Sequence, residues 1–335
     1  MATPARQRIS RRPVHGVLLL DKPLGWSSND ALQKAKWLLR AEKAGHTGTL
    51  DPLATGLLPL CFGAATKFSQ VSLDADKAYR ATLRLGQRTS TGDREGDVID
   101  ERPVQVDDAT LRAAVARFTG PISQLPPMHS ALKKDGKALY EYARAGETVE
   151  RTPRDVVIHA LDIVGRQDAE LVIDVRCSKG TYIRTLAEDI GEALGCGAHL
   201  SALRRTGSGP LTLAGTITIA ELEAMSEGQR EALLQPVDAL LADWPVLRLD
   251  ADDAGRFLSG LRRRLPAARG QADLPAVRVY GPGAGAFLGS AHVTAGELIP
   301  DRLLSPVEVQ SLHPPDRPPD DGPSTAPSPL LEAAA

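Results

Sequence analysis

The chain contains 335 residues, with 40 Lys and Arg against 42 Asp and Glu, so its formal net charge is −2. Its share of hydrophobic residues, 42%, and of charged residues, 24%, is typical of globular proteins and excludes wholesale disorder. There is no apolar run of the ~18 residues needed to cross a bilayer and no secretory signal, so we predict a soluble, cytoplasmic protein without membrane association. The three Cys contain no C-x-x-C pair, so we predict no disulfide framework.

Strand and helix patterns alternate in the first hundred residues. GVLLLD (16–21) is an apolar run typical of a buried strand, and the Ser-Ser-Asn sequence at 27–29 supplies N-cap residues for a helix that extends to Leu39. In KAYRATLRLG (77–86), apolar and polar side chains alternate with the period of two that is typical of a half-buried strand. We therefore predict strand, helix and strand in this order.

The same signals continue downstream. Asp107 or Asp108 is a suitable N-cap for a helix that ends before Gly120. The further predicted elements are a helix over about 137–144, strands over 154–164 and 169–178, an amphipathic helix over 181–195, helical segments within 219–241 and a strand over 287–293. Because strands and helices are interspersed without a regular β-α-β rhythm, we predict an α+β fold.

Composition divides the chain into four parts. After Trp244 and Pro245 the pattern changes to short strands and Gly-rich turns, which indicates a domain boundary near residue 246. The predicted parts are a flexible basic arm (1–13), a main domain (14–245), a small β-barrel-like module (246–311) and a disordered Pro-rich tail (312–335).

The segment GHTGTLDPLATG (45–56) carries a candidate catalytic carboxylate. Three Gly and one Pro in twelve residues predict a shaped loop, which leads into an apolar run. One interpretation is that Asp51 merely starts a turn with Pro52 and bonds its own backbone. The other is that the rigid loop presents the Asp51 carboxylate as a nucleophile or base.

Arg184 is a candidate partner for that carboxylate. If Thr181 caps the helix in KGTYIRTLAEDIG (179–191), Arg184 lies in its first turn, where a cation opposes the helix dipole by about 0.3–1 kcal/mol. A carboxylate such as Asp51 compensates for this, since Arg binds carboxylates in a bidentate manner. Alternatively, Arg184 simply reaches solvent. With the aromatic Tyr79 and Tyr182, these residues suggest an Asp/Arg/Tyr pocket.

Motifs for phosphate or metal binding are missing. The sequence has no G-x-x-x-x-G-K-[ST] loop and no H-E-x-x-H helix, and its seven His are scattered. We therefore predict no metal site.

Five ordered segments resemble the TruB family of tRNA pseudouridine synthases. They are GVLLLDKPLGWSS, GHTGTLDPLATGLLPLCFGAATK, KAYRATLRLGQRTSTGDREG, PPMHSALKKDGKALYEYARAGETVERTPR and KGTYIRTLAEDIGEALGCGAHLSALRR. The resemblance covers about 14–245, and the part after 246 is similar to the PUA-type RNA-binding module of the bacterial members. It implies a pseudouridine synthase-like catalytic domain with a mixed, largely antiparallel sheet. At His129, in PPMHSA, the family commonly has Tyr.

The resemblance implies that the substrate is uridine 55 in the T-loop of tRNA and that no cofactor is used. The implied site residues are the catalytic aspartate Asp51, its ion-pair partner Arg184, the base-stacking Tyr79, His46 in base flipping, and Tyr182 and Leu203 lining the uracil pocket. Lys22, in DKPLG, is expected to support the Asp51 loop rather than to act chemically.

The implied chemistry leaves several routes open. The N1–C1′ bond breaks and the uracil rejoins through C5, so no atoms are gained or lost. The carboxylate attacks C6 of the base, attacks C1′ of the ribose, or assists elimination to a glycal. The acceptor for the C5 proton is a tyrosine such as Tyr79 or a water molecule. The base must first be flipped out of the folded loop.

The expected partner is tRNA alone, bound by a monomer with no obligatory protein partner. An insert over about 107–150 is expected to clamp the T-arm, and basic residues are expected to contact phosphates: Lys133, Arg151, Arg154, Arg204, Arg205 and 262–264. One alternative is a tRNA chaperone that remodels the elbow region, and such a chaperone does not need a carboxylate at position 51. The other is a relative of the pseudouridine synthases that depends on a guide RNA.

Overall fold

The computed structural model describes residues 10–264, 273–282 and 286–312. Its α-helices are α1 (Ser28–Leu38), α2 (Ser69–Asp74), α3 (Asp108–Ala116), α4 (Leu139–Arg144), α5 (Ile183–Ala193), α6 (Ile219–Ala224), α7 (Glu227–Ala232), α8 (Ala251–Leu258) and α9 (Pro306–Leu312). Short 3-10 helices cover Gly63–Phe68 and Ala239–Leu241. The first nine residues of the predicted arm and the predicted tail beyond Leu312 lie outside the described residues.

The strands form two large sheets and two small hairpins. In chain order they are β1 (Gly16–Lys22), β2 (Ala44–His46), β3 (Ala54–Phe62), β4 (Lys77–Leu85), β5 (Gln87–Thr89), β6 (Val98–Glu101), β7 (Gly120–Gln124), β8 (Lys133–Lys134), β9 (Lys137–Ala138), β10 (Arg154–Gln167), β11 (Glu170–Cys177), β12 (Ala198–Ser208), β13 (Leu211–Thr212), β14 (Ile217–Thr218), β15 (Val246–Arg248), β16 (Arg263–Arg264), β17 (Leu274–Tyr280), β18 (Phe287–Thr294) and β19 (Glu297–Leu303).

The central sheet has ten strands. Eight follow the order β14-β1-β3-β12-β4-β11-β10-β7, while β2 pairs with β3 and β13 pairs with β12. The pairs β1–β14 and β3–β12 are parallel, and the remaining pairs of this sheet are antiparallel. The predicted α+β fold with a mixed, largely antiparallel sheet is confirmed. Among the described residues, no helix is long and apolar enough to span a membrane.

Two groups of helices cover one face of the central sheet. The register pairs Ala54 of β3 with Leu203 of β12, and Leu203 with Ala81 of β4, so these side chains share this face. Helices α1 and α6 bury apolar side chains on the β1–β3 side, and α3 and α5 do so on the β4–β11 side. Tyr79 and Leu203 contact both clusters. A seam therefore runs over β12, between the helix groups.

The opposite face of β1 and β3 is covered by the C-terminal part of the chain. Val17 and Leu57 point away from α1, because neighbouring residues of a strand face opposite sides. They pack with both 3-10 helices and with Phe287 of β18. Strands β15-β17-β18-β19-β16 form a second, mostly antiparallel sheet, on which Phe257 of α8 is buried. The predicted β-rich C-terminal module is present, and its boundary near residue 246 stays a prediction.

Two local predictions need correction. The helix predicted over 181–195 begins at Ile183 after the N-cap Tyr182, because the Thr181 hydroxyl instead donates to the carbonyl of Ser178. The predicted loop 45–56 is shorter, since β2 ends at His46 and β3 already begins at Ala54. The predicted helical segments within 219–241 are present as α6, α7 and the second 3-10 helix, and Ser226 separates the first two as the N-cap of α7.

The predicted insert over 107–150 divides into two parts. Helix α3 packs on the α5 side of the core through Leu111 and Val115, and β7 is an edge strand of the central sheet. Residues 125–150 instead carry the β8–β9 hairpin and α4. Only this second part stands apart from the central sheet in the described structure, and its clamping role stays a prediction.

Candidate active site

The segment between β2 and β3, residues 47–53, is held from two sides and is called the Asp51 loop below. On one side, the Leu50 amide donates to the hydroxyl of Ser28 (2.8 Å), and that hydroxyl donates to the Leu50 carbonyl (3.0 Å). On the other side, the Gly25 amide donates to the carbonyl of Pro52 (2.8 Å). Asp51 therefore lies between two anchored neighbours, as expected for a shaped loop.

Lys22 reinforces the same connection from inside the protein. Its side chain is fully buried, and its Nζ donates to the carbonyls of Trp26 (2.5 Å) and Pro23 (3.0 Å), with a long contact to Pro52 (3.5 Å). Burial lowers the pKa of the Lys22 ammonium to about 8, although the charge of Asp51 opposes this shift. The geometry places Lys22 in a supporting position.

Asp51 and Arg184 form an ion pair. The distance from Oδ2 of Asp51 to a terminal guanidinium nitrogen of Arg184 is 3.0 Å. The Asp51 side chain is 44% exposed, whereas that of Arg184 is only 7% exposed. The carboxylate is therefore accessible to a ligand while its charge is balanced from below by a buried cation.

The Arg184 guanidinium is fixed by further acceptors. It donates to the carbonyls of Thr91 (3.1 Å) and His129 (2.5 Å), and its Nε lies 3.7 Å from Oδ2 of Asp93. Since His129 contributes its backbone, the contact does not depend on the side chain at this position. Arg184 thus joins the Asp51 loop to two other loops.

Asp93 is a site residue that the sequence analysis missed. Its side chain is 5% exposed, and its Oδ1 accepts hydrogen bonds from the Thr91 hydroxyl (2.6 Å) and the Glu95 amide (3.0 Å). The available signal was the Gly-rich turn TGDREG (91–96), in which Asp93 directly follows Gly92. Asp93 lies where it can orient the Arg184 guanidinium.

Three predicted pocket residues, Tyr79, Leu203 and Tyr182, lie in the seam or at the start of the helix that carries Arg184. Tyr79 and Leu203 lie on adjacent strands and both contact the two core clusters, which places them in the seam. Tyr182 is the N-cap of α5, and its amide donates to the side chain of Gln124 (3.0 Å). Burial raises the pKa of both tyrosine hydroxyls, and the charge of Asp51 adds to both shifts.

His46 lies at the end of β2, immediately before the Asp51 loop. Burial and the nearby charge of Arg205 lower the pKa of its imidazole, so the ring is neutral at neutral pH. Among the described residues, its buried Nδ1 has no hydrogen-bond partner. The structure therefore associates His46 with Arg205 rather than directly with Asp51.

The basic residues expected to contact phosphates differ in their surroundings. Lys133 and Arg154 are exposed. Arg204 forms a bidentate pair with Asp21 (3.0 and 2.6 Å). For Arg205 the expectation is wrong, because this residue is only 1% exposed and cannot reach a phosphate of a bound RNA.

The arrangement suits chemistry on a planar ring. An accessible carboxylate lies beside a buried guanidinium, and aromatic and aliphatic side chains form the surrounding walls. Within the described ranges, no group of three or more His, Cys, Asp or Glu is placed to hold a metal ion. Such a site provides a nucleophile or a base, together with a surface on which an aromatic ring stacks.

Family models match most of the chain. The model described as TruB family pseudouridylate synthase (N terminal domain) matches residues 36–183. The tRNA pseudouridylate synthase B C-terminal domain matches 184–242, and the model described as pseudouridine synthase II TruB, C-terminal, matches 245–304.

The chain is also similar over most of its length to proteins named tRNA pseudouridine synthase B. The protein from Verminephrobacter eiseniae is 60% identical over 319 residues, which cover 93% of this chain and 95% of that protein. The protein from Ralstonia pickettii is 61% identical over 312 residues, with coverages of 90% and 98%. The protein from Ralstonia nicotianae is 64% identical over 301 residues, with coverages of 88% and 95%.

Solved structures share the fold. The match to the archaeal box H/ACA sRNP Nop10–Cbf5 complex has a TM-score of 0.65 at 24% identity and covers 89% of this chain and 88% of the matched chain. A Cbf5–Nop10–Gar1 complex gives a TM-score of 0.67 at 25% identity, with coverages of 88% and 87%.

Proposed function

The chain belongs to the TruB family of pseudouridylate synthases, and from that premise we propose that it converts uridine 55 in the T-loop of tRNA to pseudouridine without a cofactor. The activity is that of a pseudouridine synthase, an isomerase. The ion pair between Asp51 and Arg184 is the observation that carries the proposal, because it places an accessible carboxylate on an anchored loop. This arrangement supports Asp51 as the catalytic residue.

The reaction needs one carboxylate and no external reagent. The N1–C1′ bond breaks, the uracil turns within the pocket and a C5–C1′ bond forms. The hydrogen on C5 leaves as a proton and N1 takes up a proton, so the product is an isomer of the substrate. Asp51 contributes as the nucleophile, at C6 or at C1′, or as the base in an elimination to a glycal. In each route Arg184 stabilises the ionised carboxylate at hydrogen-bond distance.

The remaining site residues bind the flipped base. Tyr79 stacks on the uracil, and this stacking offsets part of the few kcal/mol needed to extrude the base. Tyr182 and Leu203 line the pocket, and a neutral His46 takes part in opening the T-loop without adding a further cation to the site. We propose that residues 125–150 clamp the T-arm and that Lys133 and Arg154 contact its phosphates.

The first test is tritium release from an unmodified tRNA transcript labelled at uracil C5. Forming the C5–C1′ bond expels that hydrogen, so release reports the chemistry directly. We expect release by the wild type and none by Asp51→Asn, with tRNA binding retained. Asp21→Asn is the matched control, because Asp21 also pairs with an Arg, Arg204, but on the opposite face of the sheet. No release by the wild type would overturn the proposal.

The position of the modified base is tested separately. A transcript with cytidine in place of uridine 55 is expected to release no tritium, although its other uridines carry the label. Release at an unchanged rate would place the target elsewhere in tRNA and would leave the isomerase activity intact.

The same assay separates the alternative functions. A tRNA chaperone remodels the elbow region without needing the Asp51 carboxylate, so Asp51→Asn would leave such an activity unchanged. Because the assay contains only purified protein and transcript, turnover there also excludes a required guide RNA or protein partner. We propose a monomer, and light scattering of the purified chain with and without tRNA checks this.

A further inference from the structure

Arg205 is a buried cation directly beneath the proposed uracil pocket. It lies on β12, where it is opposite Gly56 of β3 and opposite Tyr79 of β4, so its side chain shares a sheet face with Tyr79. The residue is only 1% exposed. Because it is buried, Arg205 acts on other side chains of the protein and not on bound RNA.

The guanidinium has only neutral partners. Its Nε donates to the carbonyl of Leu57 (2.7 Å), a terminal nitrogen donates to the carbonyl of Gly48 (3.4 Å), and the strand register places its side chain beside that of Tyr79. Among the described residues, no carboxylate lies within ion-pair distance of it. A buried charge without a counter-ion is unfavourable for folding, so the fold tolerates Arg205 at the expense of stability.

Arg205 is a cation beside Tyr79, which lies directly opposite it on β4. Burial and the charge of Asp51 raise the pKa of Tyr79, whereas the positive charge of Arg205 lowers it. The same positive charge lowers the pKa of further groups around it, which are Lys22, His46 and Lys77.

We propose that Arg205 is a positioning residue of the isomerase, which fixes the hydroxyl of Tyr79 and thereby the ring that stacks on the uracil. The carbonyls of Leu57 and Gly48 hold the guanidinium in place, and its remaining N–H groups are available to the hydroxyl of Tyr79. This inference rests on the proposed function, since it takes Tyr79 as the stacking residue. It needs the planar fork of Arg, because Arg205 donates from separate nitrogens to separate partners, whereas all donors of Lys lie on one nitrogen.

Single-turnover kinetics of Arg205→Lys and Arg205→Met test the inference. A small displacement of a positioned group reduces a rate by about 100-fold. We expect a loss of this size in the rate constant for both variants, with the tRNA dissociation constant changed by less than about 3-fold. The matched control is Arg80→Lys, because Arg80 lies next to Tyr79 on β4 but pairs with Asp174 at the exposed surface.

A double-mutant cycle with Tyr79→Phe separates this role from general support of the fold. Tyr79→Phe keeps the ring and removes the hydroxyl. If Arg205 acts through that hydroxyl, Arg205→Lys reduces the rate by less than about 3-fold in the Tyr79→Phe background. A loss of about 100-fold in both backgrounds would overturn the inference and would make Arg205 a purely structural residue.

Tyrosine NMR tests the contact without any tRNA. In protein labelled with ¹³C at the ring Cζ, Tyr79 is assigned by its absence in Tyr79→Phe. We expect Arg205→Met, and to a lesser extent Arg205→Lys, to shift this signal at neutral pH and to raise its titration midpoint, whereas Arg80→Lys leaves both unchanged. An unchanged Tyr79 signal would overturn the inference even if the proposed function holds. Because this readout needs no turnover, it stays valid if the proposed function fails.

Discussion

At the scale of single residues, the site depends on cations that are held by backbone carbonyls. The ammonium of Lys22 is a compact donor group, and it satisfies the carbonyls of Pro23 and Trp26 beside the Asp51 loop. The planar guanidinium of Arg184 reaches more widely, to Asp51, to Asp93 and to two carbonyls. Each cation suits its place because of its shape as well as its charge.

We expect the Nζ of Lys22 to titrate near pH 8, because burial lowers its pKa from 10.5 to about 8. The folded chain then binds fewer protons than the unfolded chain between about pH 8 and 10.5. The penalty of burying the charged ammonium is therefore fully present below pH 8, and the contribution of Lys22 to stability rises as the pH increases through this window. Nitrogen-15 NMR of the lysine Nζ groups measures the midpoint.

Lys77 provides the control, since burial also lowers its pKa to about 8. The spectrum should contain two shifted signals, of which Lys22→Met removes one and Lys77→Met removes the other. A midpoint above pH 10 for the signal that Lys22→Met removes would contradict the prediction.

At the scale of elements, α5 carries site residues at its start and packs closely against the central sheet near its end. Tyr182 and Arg184 lie at its start, while Gly191 near its end packs directly against β12. A Cβ atom on Gly191 would lie 2.2 Å from the amide nitrogen of Ala198. The close contact between helix and strand therefore requires glycine at this position, although glycine weakens a helix.

We expect Gly191→Ala to reduce the free energy of unfolding by about 1–3 kcal/mol or more, because the added methyl group forces α5 away from β12. The displacement also moves Arg184, so the turnover rate should fall in the same variant. Urea denaturation and the tritium-release assay measure the two effects.

Gly255 of α8 is the matched control, because nothing lies within 4 Å of the position of its Cβ. Gly255→Ala should increase the free energy of unfolding by up to about 1 kcal/mol through helix propensity alone. Equal changes in the two variants would show that packing against β12 does not decide the outcome.

At the scale of the whole molecule, the C-terminal sheet is attached through polar and apolar contacts. Asp238, which is buried, accepts hydrogen bonds from Arg278 (3.2 Å) and from the hydroxyl of Tyr280, both on β17. The rings of Phe68 and Phe287 lie 5.3 Å apart in the apolar part of this contact. The contact orients the C-terminal sheet relative to the central one.

We expect Asp238→Ala to lower the free energy of unfolding by about 3 kcal/mol, because Arg278 is left as a largely buried charge without its partner. Calorimetry should show a single transition for the wild type, and an earlier or divided transition for the variant. Asp243→Ala, at an exposed position on the same segment, should resemble the wild type. Equal transition temperatures for both variants would contradict the prediction.

Local patterns in the sequence predicted much of the fold because they depend on near neighbours. The alternation in 77–86 corresponds to β4, and the N-cap signals correspond to Ser27 before α1 and Asp107 before α3. For Arg184 the sequence left two interpretations, a pair with Asp51 or exposure to solvent, and the structure has the ion pair.

Only the tertiary structure brought Asp93 to that pair and Arg205 to Tyr79. Asp93 reaches Arg184 from the connection between β5 and β6, and Arg205 meets Tyr79 because β12 lies between β3 and β4. The sequence places Arg205 next to Arg204 as if both belonged to one basic surface, yet adjacent residues of a strand point to opposite faces. Which face is buried depends on strand order and register, and these depend on contacts between segments far apart in the chain.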